Sequence, residues 1–280
     1  MTIVILIKVN DGIVLASDSL TTIHSLRTTN GRKIFSYVYK YANKIFNLKK
    51  GCPIGAMTWG SGSIGKASIS TLAKDFRKRI TDGNDDWKID SSNYTLKDVV
   101  EKFKQFVFDE NYEKEYKDWE NEKKPYLGLI VAGYSSGEDL AEEWELQIIN
   151  GECKGPNMIR KKEIGGISWR GQVEAIKRLY FGFSPGLNNI LTTVNLDTEK
   201  VKEIIKRCEQ ELSVSFVVEA MPIQDAINLA KFLVYTTIQY SKFSPGTPTV
   251  GGLIEVATIT KHEHYKWVQR KHYYNMNLNI

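Results

Sequence analysis

Hydrophobic and polar positions along the chain alternate between strand and helix periods. Ile3-Val4-Ile5-Leu6-Ile7-Lys8-Val9 and Gly12-Ile13-Val14-Leu15-Ala16-Ser17 are two runs dense in β-branched and aliphatic residues, and Asn10-Asp11-Gly12 between them is a strong hairpin signal. Residues 43–48 and 53–59 predict a second hairpin around Lys49-Lys50-Gly51. Between the two, Ser19 to Tyr41 carries the turn signal Thr28-Thr29-Asn30-Gly31 and then the strand formers Ile34-Phe35-Ser36-Tyr37-Val38-Tyr39, an extra hairpin or lobe. A glycine-rich turn from Gly60 to Lys66 leads into a helical stretch ending near Ile80.

Leu96, Val99, Val100, Phe103, Phe106 and Val107 recur at helical spacing, which predicts an amphipathic helix. Its continuation, Asp109 to Lys124, mixes charges with aromatics and reads as a solvated helix end stopped by Pro125. Tyr126 to Tyr134 and the alternating Trp144, Leu146 and Ile148 predict a hairpin ending at Asn150-Gly151. Gln172 to Phe181, Asp197 to Leu212 and the stripe Ala226, Leu229, Ala230, Leu233, Val234, Thr237 predict three helices. Thr249 to Thr260 and His264 to Val268 are the closing strands. By layer logic this element order is α+β.

Composition narrows the class. A chain of 280 residues, 42% hydrophobic and 25% charged, can bury a core of one domain or two, and 1–280 is read as a single domain. The net charge of +5 is scattered among acidic residues, which speaks against nucleic acid as a partner. No apolar run approaches a membrane span, and Met1-Thr2-Ile3-Val4 lacks the features of a secretory signal. Cys52, Cys153 and Cys208 are widely separated, the pattern of free thiols in a reducing cytoplasm.

The first strand begins at residue 2. Removal of an initiator Met would leave Thr2 with a free α-amine. Such a residue holds a nucleophilic hydroxyl and, with an amine pKa near ~7.7–8.0, its own base. An ordinary β-forming threonine at a strand start is the alternative.

Thr2-Ile3-Val4, Asp11-Gly12, Val14-Leu15-Ala16-Ser17-Asp18-Ser19 and Asn43-Lys44-Ile45 together resemble the start of a proteasome β-type subunit and its bacterial relatives, which are N-terminal nucleophile hydrolases. The resemblance implies a four-layer αββα sandwich, with 19–41 as an expanded hairpin after the second strand and 261–280 as a C-terminal extension. It also implies Thr2 as nucleophile, Asp18 and Lys44 as its charged partners, Gly60 as oxyanion donor and Thr22 as a substrate contact. A lysine beside the amine favours the amine's neutral form, and an aspartate holds that lysine charged and oriented. A purely structural Asp18–Lys44 ion pair is the alternative. Lys33, in Arg32-Lys33-Ile34, is the runner-up for the lysine.

The family's supporting serine maps to Gly166, with Ser168 two residues beyond. Its supporting aspartate should precede Gly251-Gly252, yet Tyr235 to Gly252 contains no acidic residue. The implied activity is cleavage of peptide or other amide bonds by a homo-oligomeric ring, without a cofactor, and an unfoldase or regulator stays open as a partner. A catalytically inactive scaffold subunit and a small-molecule amidohydrolase on the same fold are the rival readings. His262 and His264, with Glu255 or His272, could form half of a metal site, although a polar surface strand explains them equally, and no metal is assigned. Gly60 to Ser68 lacks the spacing of a phosphate-binding loop, because Ala67 stands where Ser or Thr is needed.

Overall fold

The computed structural model describes residues 2–28, 32–194 and 196–271. The first hairpin forms as its pattern predicts: β1 (Ile3–Val9) and β2 (Gly12–Ser17) pair antiparallel, with Val9 opposite Gly12. Both strands are buried along their whole length, as expected of near-continuous apolar runs covered on both faces. β3 (Thr21–Thr28) and β4 (Arg32–Tyr39) make a separate ribbon, in register from Thr21 opposite Tyr39 to Thr28 opposite Arg32. This is the extra hairpin, although its turn residues Thr29, Asn30 and Gly31 lie outside the described residues. β5 (Ile45–Asn47) and β6 (Ile54–Gly60) form the next hairpin.

A small ribbon, β7 (Ser63–Ile64) with β8 (Ala67–Ser68), precedes helix α1 (Ile69–Asp82). Ser68 caps α1 by accepting the Thr71 N–H, and Thr95 caps α2 (Leu96–Lys104) by accepting that of Asp98. The chain then winds through a π-helical stretch, Gln105–Tyr112, into the short α3 (Glu113–Tyr116). Residues 109–124 are mostly exposed, as expected of a solvated helix end, but Tyr112 and Tyr116 turn inward. They join Phe106, Val107 and Phe108 in the core, because the wider π turns keep this aromatic side inward. The Tyr112 hydroxyl donates to the Pro125 carbonyl at 2.7 Å, and that of Tyr116 accepts the Gly65 N–H at 2.9 Å.

β9 (Leu127–Gly133) pairs with β10 (Glu142–Ile149), which turns through Asn150-Gly151 into β11 (Glu152–Met158). Asn150 and Gly151 both take positive φ, 51° and 81°, as a tight two-residue turn demands. Neither β11 nor β12 (Gly166–Gly171) is signalled by the sequence. Glu152-Cys153-Lys154-Gly155-Pro156-Asn157-Met158 is a polar edge strand without an apolar face, and β12 is short and flanked by glycines. The helices α4 (Glu174–Phe181), α5 (Leu187–Thr193), α6 (Thr198–Leu212) and α7 (Ile223–Phe243) follow, of which the sequence pattern missed only α5. β13 (Glu255–Thr260) and β14 (His264–Gln269) close the chain, and residues 249–254, expected as strand, are loop.

The strands make two five-stranded antiparallel sheets, in the orders β12-β1-β2-β13-β14 and β11-β10-β9-β6-β5. β1 divides its side chains strictly by parity. Val4 and Leu6, with Ile13 and Leu15 of β2, pack on Met57, Trp59, Ile130 and Ala132 of the second sheet. Ile3, Ile5 and Ile7 pack on the other face against Ala226, Ala230, Leu233 and Val234 of α7. The outer face of the second sheet, with Phe46, Ile54 and Leu129, is covered by Leu72 and Phe76 of α1 and Val99 and Phe103 of α2. The chain is thus a mixed α+β protein in which the start of β1 and the end of β2 meet at one end of the stacked sheets.

Candidate active site

At that end lies a cavity of about 1060 Å³. Thr2, Thr22, Lys44 and Gly60, which the sequence places tens of residues apart, all line it. Asp18 is fully buried directly behind Lys44. Residues 61–63 and the first turn of α1 line the cavity as well.

Asp18 is held by four donors. Its Oδ1 accepts the Ile3 N–H at 3.0 Å and Lys44 Nζ at 2.6 Å, and its Oδ2 accepts the Leu20 and Gly251 N–H groups at 3.2 and 3.1 Å. One carboxylate therefore ties the start of β1, the exit of β2 and the loop before β13 to the lysine. Lys44 Nζ donates also to the Leu20 carbonyl at 2.7 Å, which leaves one position of the ammonium for the cavity. Burial pulls the Lys44 pKa down, and the Asp18 charge and hydrogen bond oppose that pull.

A second buried ion pair stands beside the first. Lys271 Nζ is 2.7 Å from Glu255 Oε2 and 2.7 Å from the Ala42 carbonyl, and both side chains are almost fully buried. Burial lowers the Lys271 pKa, with Glu255 acting in the opposite direction. Sequence reasoning missed this pair: Lys271 follows the last strand with no motif around it, and Glu255 drew notice only as a metal ligand. The apolar strand flanking Glu255, Val256-Ala257-Thr258-Ile259, was the available signal, because a carboxylate entering such a strand needs a buried partner.

Thr2 is seated by its backbone. Its carbonyl accepts the Gln172 N–H at 2.7 Å, and Gln172 Nε2 donates to Thr249 Oγ1 at 3.1 Å. Gly171, opposite Ile3, takes φ +94°, and a Cβ on it would stand 1.9 Å from the Thr2 carbonyl oxygen. Gly60 is similarly constrained, with φ +88° and the space of its missing Cβ taken by the Tyr126 carbonyl. These glycines let backbone approach backbone at the cavity rim.

No protein-family model and no curated protein matches the chain. Among solved structures it is similar to an Anbu (ancestral beta-subunit) mutant, Gly-1, from Hyphomicrobium sp. strain MC1, with TM-score 0.51, 11% identity, and coverage of 97% of this chain and 86% of that one. It is also similar to Anbu (ancestral beta-subunit) from Yersinia bercovieri, with TM-score 0.49, 12% identity, and coverage of 96% and 88%. The fold is proteasome-like. The sequence-level placement with proteasome β-type subunits is corrected by these findings: no family model supports it, and the similar solved structure with TM-score 0.51 is an Anbu protein. Local similarity over residues 2–19 and 42–60 located two hairpins, which is too little sequence to fix a family.

Other expected residues lie away from this proteasome-like cleft. Ser168 pairs with Leu6 along β1 and sits with Arg160 and Glu143, its Oγ 3.5 Å from Glu143 Oε2. Glu143 is fully buried and also engages Arg160 at 2.9 Å and Lys8 at 3.7 Å, so Ser168 belongs to a separate interior network. Lys33 stands opposite Arg27 in the β3–β4 ribbon, and its side chain is outside those described. His262 is in the turn before β14 and His264 begins that strand at φ +60°, so the two do not share a strand face. Glu255 is taken by Lys271, and His272 is outside the described residues. Among the described residues no helix is long and apolar enough to cross a membrane.

Proposed function

We propose that this chain is a threonine-type N-terminal nucleophile hydrolase of amide bonds, built on a four-layer αββα sandwich. The observation that carries the reading is the meeting of Thr2, Lys44 and Gly60 on one cavity, with Asp18 fixing Lys44 from behind. With Met1 removed, the Thr2 hydroxyl attacks an amide carbonyl and its proton passes to the Thr2 amine. The carbonyl oxygen becomes an oxyanion against the Gly60 N–H. As the C–N bond breaks, the ammonium proton goes to the leaving amine and an ester remains on Thr2 Oγ. Water then adds to the ester, giving its proton to the amine, and the acyl group departs as the acid while Thr2 Oγ recovers its proton. Lys44, charged beside the amine, favours the neutral base. The substrate is a peptide or other amide, and the working form is a cytoplasmic homo-oligomer, with a regulator docking on it as a further option.

Two observations favour the inactive-scaffold reading. Ser168 is engaged with Arg160 and Glu143 rather than with Thr2, and the loop before Gly251 supplies no acidic group. The deciding experiment is intact mass and N-terminal sequencing, followed by reaction with an epoxyketone or β-lactone. An N-terminal threonine carrying one covalent adduct supports the hydrolase. Retained Met1, or a free Thr2 that takes no adduct, selects the scaffold.

A further inference from the structure

The segment that presents Lys44 has no regular structure of its own: residues 40–44 run between β4 and β5 as loop. Its position is set by contacts from elsewhere in the chain. The Ala42 N–H donates to the Ser19 carbonyl at 2.9 Å, the Ser19 hydroxyl donates to the Lys40 carbonyl at 2.7 Å, and Lys271 Nζ donates to the Ala42 carbonyl at 2.7 Å. Lys271 is itself fixed by Glu255, whose strand pairs with Ser17 at the end of β2, one residue before Asp18. The two buried ion pairs thus share one backbone frame, and both lysines reach the cavity.

We propose that Lys271, anchored by Glu255, is a positioning residue for Lys44: it clamps the 40–44 segment and places a second cation behind the cavity, which biases the Thr2 amine toward its neutral form. This rests on the reading of Thr2 as nucleophile and goes beyond it, because the C-terminal pair supplies support that the residues around Gly166 and before Gly251 do not. The charges acting on Lys44 are Asp18, Glu255 and Lys271, and Lys74 and Arg270 line the same cavity. A buried lysine that merely filled space would need its carboxylate but not the Ala42 carbonyl. Two hydrogen bonds in different directions fix the ammonium between them.

The test uses the full chain and two readouts. Amide hydrogen exchange of residues 40–44 is compared with that of β2 in wild type, K271M, K271R and the charge-neutral double variant E255Q/K271M. The rate of β-lactone capture of Thr2 is followed against pH in the same proteins. In K271M, exchange in 40–44 is expected to rise about tenfold or more while β2 is unchanged. The capture midpoint should move to higher pH by roughly half a unit or more, because a cation near the amine is lost. K271R should restore both readouts. E255Q/K271M removes a neutral pair, so its midpoint should return toward wild type while its 40–44 exchange stays fast. Unchanged 40–44 exchange in K271M, or an unmoved midpoint in a K271M protein that still takes the probe, overturns the proposal. If wild type takes no probe, the nucleophile reading fails, and the exchange comparison alone decides whether Lys271 is a clamp.

Discussion

Lys44 Nζ stands 2.6 Å from Asp18 Oδ1, and the two side chains are almost wholly removed from solvent. Taking one partner away strands a charge that the interior cannot solvate, which typically costs about 3–5 kcal/mol. D18N should therefore lower the urea midpoint strongly. Its amide would also confront the Leu20 and Gly251 N–H groups, or Lys44, with a donor in place of an acceptor. The double variant D18N/K44M should lose less than the sum of the single losses. Additive losses in that cycle would show that the pair does not act as a unit.

The lowered pKa of Lys44 makes a signed prediction. The unfolded chain binds the lysine proton up to about the ordinary value of 10.5, whereas the folded chain releases it at lower pH. Between the two values the unfolded state holds more protons, so stability rises with pH across that window. Lys8 and Lys271 are shifted in the same direction by burial and add to the rise. Tyr94, Tyr112, Tyr134, Tyr265 and Cys153, whose pKa values burial raises, oppose this rise in both wild type and K44M. The test is therefore the difference: at steps of pH up to 10.5 the wild-type denaturation midpoint should gain on that of K44M. Parallel slopes would mean that Lys44 keeps its ordinary proton affinity when folded.

G171A tests the seating of Thr2 without touching a charged group. A methyl there is opposed both by φ +94° and by the Thr2 carbonyl 1.9 Å away, so the start of β1 must shift. A loss of about 1–3 kcal/mol is expected, with capture of Thr2 by a β-lactone falling by roughly tenfold or more. G137A is the matched control. Gly137 has φ +76° but nothing near its missing Cβ, so it should show backbone strain alone and leave capture unchanged. Equal effects of the two on capture would detach Gly171 from the site.

The contrast between what the sequence disclosed and what it hid has a physical origin. β1 and β2 were legible because a buried central hairpin needs β-branched side chains on both faces and a tight turn between them. Thr2, Asp18, Lys44 and Gly60 were picked out by the family resemblance. Each lies at or next to the end of a strand, and the folded chain brings Thr2, Lys44 and Gly60 to one cavity with Asp18 behind Lys44. β11 was hidden because an edge strand needs no apolar face. The burial of Tyr112 and Tyr116 was hidden because a π-helical stretch breaks the 3.6-residue period by which buried faces are read. Lys271 was hidden for another reason: its partners, Glu255 and Ala42, are brought to it by sheet pairing and a loop contact rather than by spacing.

The β3–β4 ribbon belongs to neither five-stranded sheet. A two-stranded ribbon by itself is at best marginally stable in water, so it contributes little to holding the fold together. It does wall the cavity, through Thr21, Thr22 and Ile23 at its base. Thr21 and Tyr39 are cross-strand partners, close enough to be joined by an Asn-Gly turn replacing 22–38. The shortened protein should unfold within a few tenths of a kcal/mol to about 1 kcal/mol of wild type, since the segment lost pairs with neither main sheet. Capture of Thr2 by a small β-lactone should persist, because Asp18, Lys44 and Lys271 keep their partners. Binding of longer peptide substrates should weaken, seen as a raised KM with kcat little changed, because the missing wall contacts the substrate rather than the reacting atoms. A collapse of stability instead would place the ribbon within the folding unit.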